Sequence, residues 1–229
     1  MGITYGTSTL FQATKGIVQD GLVLNLDAAV KESYNSGTSW KSLIGNGIAT
    51  LQNDVFFDRE NGGSFVFDGT DDHMTTNFLP PTGSNERTFF FSLYKEVGVS
   101  VDGHVLEYGP NADLERYTIR VNSNTLRTEY QSAYNTTSRS FSNGWNICCV
   151  SLRGSTNGDH RYFLNGVFQS TAGSSTLITG SSVNLNIGRS PVFGRHIIGK
   201  IGFVYIYDRG LTDEEITQNY NAIKARFGL

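Results

Sequence analysis

Apolar residues in this chain recur mostly at every second position, the repeat that places side chains on one face of an extended strand. Leu22, Leu24 and Leu26 alternate with Val23, Asn25 and Asp27. Phe65 and Phe67 flank Val66, and Phe89, Phe91 and Leu93 alternate with Phe90, Ser92 and Tyr94. The same beat runs through Tyr117, Ile119 and Val121, then through Leu126, Thr128 and Tyr130 after a Ser-Asn turn. Trp145, Ile147 and Cys149 alternate with Asn146, Cys148 and Val150. Val183, Leu185 and Ile187 predict one more strand, and Ile201, Phe203, Tyr205 and Tyr207 a last one. Each segment reads as a half-buried strand, and the pattern predicts roughly ten to thirteen strands in a sandwich or barrel.

Turn residues punctuate these segments. Asn157-Gly158 and Asn165-Gly166 supply the positive φ angles of two-residue hairpins, so residues 145–169 read as a meander of three antiparallel strands. The stretch from Ala28 to about Asp58 has no clear period. Its Trp40, Leu43, Ile48 and Leu51 predict a loop pinned onto the sandwich. Residues 1–19 are polar and aperiodic, and are expected to form an N-terminal arm ahead of a domain spanning 20–229.

One segment keeps helical time. Thr212 and Glu215 form a capping box, with Asp213 and Glu214 also in the first turn. Ile216, Tyr220, Ile223 and Phe227 give one apolar stripe, closed by Lys224, Arg226 and Gly228. This short helix is expected to cover one end or edge of the sandwich.

Composition sharpens the picture. Only 17 % of the 229 residues are charged, and Gly, Ser, Thr and Asn supply the polarity, which favours turns and strands over helices. A chain of this length buries enough surface to stand without disulfide or metal. The net charge of −3, with no basic run, speaks against a nucleic-acid partner. No apolar stretch reaches membrane-spanning length, and Met1 to Tyr5 lack the charged and apolar regions of a signal peptide. Cys148 and Cys149 are neighbours that a strand points to opposite faces, so they read as two small buried residues.

Several segments together resemble a known family. Gly21-Leu22-Val23-Leu24-Asn25-Leu26-Asp27-Ala28-Ala29 resembles the opening strand of laminin-G-like, concanavalin A-like domains of tailed-phage virion proteins. Ser33-Tyr34-Asn35-Ser36-Gly37-Thr38-Ser39-Trp40 and Phe65-Val66-Phe67-Asp68-Gly69-Thr70-Asp71-Asp72 are similar to segments that follow it. The hairpin Tyr162-Phe163-Leu164-Asn165-Gly166 and the close from Gly199 to Thr212 complete the likeness, while residues 75–145 match only as a strand pattern. The resemblance implies an all-β jelly-roll sandwich of two antiparallel sheets with a short C-terminal α-helix. For function it implies less, because this fold carries lectins, adhesins, hydrolases and shell proteins alike.

Glucanases of this superfold place two carboxylates on one strand as Glu-x-Asp-x-x-Glu, and no such spacing occurs here. His73, His104, His160 and His196 lie in no recognised motif and read as surface or loop residues; no nucleophile elbow or phosphate loop is present. No catalytic residue is assigned, and the chain is expected not to be an enzyme. For calcium, the candidates are Asp68, Asp71 and Asp72, which equally make a good turn without any metal. Asn157-Gly158-Asp159 is a weaker candidate. For stacking on a sugar, Tyr130, Tyr134 and Arg195 lie near strand ends or in loops. Asn135-Thr136-Thr137 has the form of a glycosylation acceptor.

The reading is a non-enzymatic virion protein of a tailed phage, decorating capsid or tail and attaching to host-surface glycan. Its partners would be other virion proteins, with assembly as a homo-oligomer and the arm as anchor. The alternatives are a carbohydrate hydrolase or lyase with an unfamiliar site, and a free cellular lectin.

Overall fold

The computed structural model describes residues 16–130, 134–156, 159–171 and 176–229, with backbone alone over 134–139. Seventeen strands and one α-helix occur among the described residues. In chain order they are β1 (Leu22–Asp27), β2 (Ser39–Lys41), β3 (Ile48–Gln52), β4 (Phe56–Asp58), β5 (Ser64–Asp68) and β6 (His73–Thr76). Then follow β7 (Arg87–Lys95), β8 (Gly103–Tyr108), β9 (Tyr117–Asn122), β10 (Thr125–Glu129), β11 (Tyr134–Ser140) and β12 (Gly144–Leu152). The last are β13 (His160–Leu164), β14 (Val167–Ser170), β15 (Asn186–Ile187), β16 (Ile198–Ile201), β17 (Phe203–Tyr207) and α1 (Asp213–Ile223).

The strands form two antiparallel sheets. The first runs β14-β13-β12-β7-β16-β5-β4, with β17 also pairing β7 and β1 beyond it. The second runs β11-β10-β9-β8-β15-β6-β3-β2. The expected jelly-roll sandwich with a short C-terminal helix is therefore observed. The strand count exceeds the expected ten to thirteen in part because the stretch 28–58 is not a plain loop. It supplies β2, β3 and β4, short strands at or next to the sheet edges whose brevity hides any period.

Alternation sorts the side chains of the first sheet onto two cores. Phe89, Phe91 and Leu93 face the second sheet, where they join Val105, Ile119, Val121 and Leu126. Phe90 and Tyr94 face the other way, with Trp145, Ile147, Cys149, Phe203, Tyr205 and Tyr207. The half-buried reading of these strands is thus corrected: β7, β12 and β17 are buried on both faces, as a run of three phenylalanines demands. Cys148 and Cys149 are free, buried, and divided between the two cores.

Two irregularities reset the alternation. The register slips between Leu22 and Leu24, so Leu22 packs on the outer core while Leu24 and Leu26 face inward. At Gly202 the last strand breaks, and Ile201 faces inward while Phe203 faces outward. Ser92 Oγ accepts from the amides of Gly202 and Phe203 at 2.9 and 3.2 Å, which holds the kink.

The helix begins at the expected capping box: Glu215 N–H donates to Thr212 Oγ1, and Thr212 N–H to Glu215 Oε2. It lies on the outer face of the first sheet, against Phe203, Tyr205 and Tyr207, and not at an end or edge of the sandwich. The reason is the second core, which only a helix with an apolar stripe closes off from water. Residues 16–19, the end of the expected arm, dock here too. Val18 N–H donates to Asn219 Oδ1 at 2.7 Å, and Tyr207 O–H to the Val18 carbonyl at 3.1 Å. The rest of the arm, 1–15, lies outside the described residues, as does the expected turn at Asn157-Gly158. The Asn165-Gly166 turn is present between β13 and β14, with Asn165 and Gly166 at φ 52° and 73°. Among the described residues no helix is long and apolar enough to cross a membrane.

Ile216 is fully buried between α1 and the sheet. Ile216→Ala is expected to cost about 2–5 kcal/mol in chemical denaturation, and Thr212→Ala about 1 kcal/mol. Exposed Leu229→Ala should stay within about 0.5 kcal/mol of the parent.

Candidate functional site

With the outer face of the first sheet closed by α1, polar chemistry collects on the outer face of the second. The register lays it out in transverse rows. His104 pairs with Arg120, which pairs with Arg127; beside them run Asn186, Glu107, Thr118 and Glu129. Residues three apart on a regular strand point to opposite faces. A register shift between His104 and Leu106 lets both His104 and Glu107 face outward.

Charges there are buried and matched. His104 Nδ1 lies 2.6 Å from Glu107 Oε2, which also accepts from Thr118 Oγ1 at 2.9 Å. Ser190 Oγ donates to Glu107 Oε1 at 3.1 Å. Arg120 bridges Asp102 at 2.7 Å and Glu129 at 3.0 Å. Two buried nitrogens, His104 Nε2 and Arg120 Nε, have no partner. Unpaired buried polar groups are costly and mark places where a ligand or water completes the bonding.

The loop between β15 and β16 roofs this face. An isolated bridge joins Arg189 to His196, and Ser190 Oγ accepts from the amides of Val192 and Phe193. The loop presses so closely on β8 that a Cβ at Gly103 would strike the His196 carbonyl. Its tip, Val192 and Phe193, is exposed. Where loop meets sandwich rim, Gly69, Asp102, Arg120, Asn122, Gly194, Arg195 and His196 enclose an open, polar cleft of about 560 Å³.

Gly69 ties this cleft to the acidic turn. Asp68, Asp71 and Asp72 offer one ligand atom each, all within 4.8 Å of one another. Part of the turn reading holds as well: Asp68 Oδ1 accepts from Thr70 N–H at 2.7 Å, and Asp72 Oδ2 from Asp68 N–H at 3.0 Å. Asp72 is 3 % exposed and its Oδ1 has no hydrogen-bond partner within range. Burial raises its carboxyl above the ordinary range, and the charges of Asp68 and Asp71 add to this against the Asp68 amide. Oxygen donors converging so, one of them buried and unsatisfied, suit a calcium ion.

The sequence candidates fare unevenly. Arg195 lines the cleft. Tyr130 does not stack on anything from solvent: it is fully buried, and its hydroxyl lies 2.6 Å from Thr128 Oγ1. Its alternating position with Leu126 and Thr128 carried it inward. The side chain of Tyr134 and those of Asn135, Thr136 and Thr137 lie outside the described residues, as does the Asn157-Gly158 part of the weaker calcium loop. Its Asp159 is engaged with Thr156 N–H and Oγ1, both at 2.8 Å. The histidines are not mainly superficial. His73, His104 and His160 are buried, and only His196 is half-buried on a loop. Burial pulls His73 below the ordinary imidazole range. His104, Glu107 and Ser190 escaped sequence reasoning because a bulge and a distant loop bring them together. Arg120 was visible only as a polar position on an alternating strand.

A second hollow, about 170 Å³, lies on the first sheet, lined by Val66, Tyr94, Glu96 and Lys200 among others. Its lysine is already paired with Asp58 at 2.5 Å.

Residues 68–217 match the family model Laminin_G_3, described as the concanavalin A-like lectin/glucanases superfamily. The chain belongs to that superfamily. Among solved structures it is similar to Trypanosoma rangeli sialidase in complex with 2,3-difluorosialic acid, at 13 % identity and TM-score 0.68. The match covers 97 % of this chain and 36 % of the sialidase, so the chain spans about a third of that protein. It is similar to the botulinum neurotoxin serotype G binding domain at 12 % identity and TM-score 0.63, over 86 % of this chain and 50 % of that one. Domain 4 of AbnA, a GH43 extracellular arabinanase from Geobacillus stearothermophilus in complex with arabinotriose, matches at 12 % identity and TM-score 0.62. That match covers 87 % of this chain and 98 % of the domain. At these identities the likeness is one of fold. No curated protein sequence matches the chain.

Millimolar calcium is expected to raise the melting temperature of the parent protein and not that of Asp72→Asn. Without calcium, a raised carboxyl pKa penalises the folded state above that pKa and releases the penalty below it. Asp72→Asn should therefore melt higher than the parent near neutral pH, with the gap closing as pH falls through the carboxyl range. Equal calcium responses in differential scanning fluorimetry would remove the ion from this site.

Proposed function

We propose that this chain is a non-catalytic glycan-binding module carried on the particle of a tailed phage. The observation that carries the binding half is the rim cleft, where Arg120, Asn122, Arg195 and His196 converge beneath an exposed loop. Hydroxyl-rich ligands are gripped by such convergent donors and acceptors beside an apolar edge, here Val192 and Phe193. Among structures of this fold, a domain of an arabinanase was solved with arabinotriose, which supports a sugar as the ligand class.

The non-enzymatic half is supported by the state of the nearby carboxylates. Asp102, Glu107 and Glu129 all bond to protein donors: Asp102 to Arg120 and Asn122, Glu129 to Arg120 and Arg127, and Glu107 to His104, Thr118 and Ser190. Glycoside cleavage asks for two carboxyls facing each other across the scissile bond. The virion setting is supported by the ordered likeness that runs from Gly21 to Thr212. In that setting the partners are other virion proteins and a host-surface glycan, in a homo-oligomer anchored through residues 1–19.

A glycan array on the purified protein should give discrete hits without release of reducing ends. Arg120→Ala and His196→Ala should weaken the best hit about tenfold or more, the scale of a lost charged hydrogen bond. Released reducing ends would instead favour a hydrolase or lyase. Deleting residues 1–15 of the arm, which leaves the Val18 contacts with Asn219 and Tyr207 in place, should abolish incorporation into particles, and unchanged incorporation would refute the anchor.

A further inference from the structure

Most arginines among the described residues are matched. Arg120, Arg127, Arg153, Arg161, Arg209 and Arg226 each form an ion pair. Buried Arg87 donates to the carbonyls of Pro81, Gly83 and Asn85. Besides Arg87, four arginines make no ion pair among the described residues: Arg59 is exposed after β4, and the other three lie on or near the roofing loop. Arg116, Arg189 and Arg195 take part in no ion pair among the described residues.

Arg116 is the most unusual. It is 3 % exposed, its Nε has no partner, and its one side-chain hydrogen bond among the described residues is to Asn111 Oδ1 at 3.4 Å. Its guanidinium lies over the Phe193 ring, 4.6 Å from the centroid. Arg195 lies over the same ring at 5.3 Å. Arg189, at the base of the loop, reaches Asn186 Oδ1 at 3.3 Å. Arg189 lies in the field of Glu107; for Arg116, which shares its ring with Arg195, one aromatic contact returns less than the burial of an unpaired cation costs, so this pair lacks an anion.

We propose that Arg116 and Arg195, gathered over the Phe193 ring, bind the acidic group of an acidic glycan, a carboxylate or a sulfate ester. This rests on the glycan-binding reading and adds its substrate class. Arg195 is exposed and makes first contact; the buried Arg116 supplies the field that a neutral sugar would not use. Phe193, 48 % exposed, gives the sugar ring an apolar edge to lie against. Arg195 also lines the rim cleft, so an oligosaccharide lying along β9 spans both places. Four residues separate Arg116 from Arg120, a reach of about 13 Å along an extended chain.

The test is isothermal titration with three probes of equal length: an oligogalacturonate, a sulfated heparin-derived oligosaccharide and a neutral malto-oligosaccharide. Binding of either acidic probe at least tenfold tighter than the neutral one, weakening with salt, supports the proposal. Whichever acidic probe wins identifies carboxylate or sulfate. Exposed Arg195→Ala, which should melt like the parent, is expected to lose at least tenfold of that affinity, and Arg116→Gln more. Equal binding of neutral and acidic probes, or indifference to Arg195→Ala, overturns the acidic class and leaves glycan binding standing. A single-stranded oligonucleotide bound as well as the acidic sugars also overturns it. No binding of any sugar here or on the array overturns both readings.

Discussion

Strand β7 buries side chains on both faces, and the rest of the architecture answers to that. Phe89, Phe91 and Leu93 lock it to the second sheet, while Phe90 and Tyr94 on its back require a separate apolar cover. That cover is α1 together with residues 16–19, stitched through Asn219, Tyr207 and Val18. Much of the outer face of the first sheet is thereby committed to stability. The second sheet inherits the freedom to expose polar groups outward, and the candidate site lies there.

Polar groups on that face are not loosely solvated. They interlock as charge-matched neighbours beneath the loop from Arg189 to His196, and each matched pair relieves the cost of burial for its members. Buried atoms without a partner occur on both sheets, Trp145 Nε1 and Arg153 Nε among them, but Asp72 Oδ1, His104 Nε2, Arg116 Nε, Arg120 Nε and His196 Nδ1 gather around the second sheet's outer side and its rim.

Much of the scaffold was legible from residue order. Period-two alternation located β5, β7, β9, β10, β12, β13 and β17, and the capping box placed the start of α1. What stayed hidden was non-local. The strands β2, β3 and β4 are too short to show a period, and the slip before Leu24 and the kink at Gly202 reverse faces without a sequence signature. The site was legible only in fragments. Asp68, Asp71, Asp72 and Arg195 could be picked out by type and turn context. His104 and Glu107 share a face only because of a bulge, and Ser190 meets them from more than eighty residues away. Tyr130 shows the opposite failure: residue type suggested an exposed ring, and strand alternation had already assigned it to the core.

Hydrogen exchange with and without a saturating acidic oligosaccharide addresses the central claim, that the roofed face of the second sheet is the working surface. The account predicts slowed exchange over residues 188–197 and 116–122, with amides around α1 unchanged. Protection confined to α1 or to the hollow beside Tyr94 and Lys200 would contradict it.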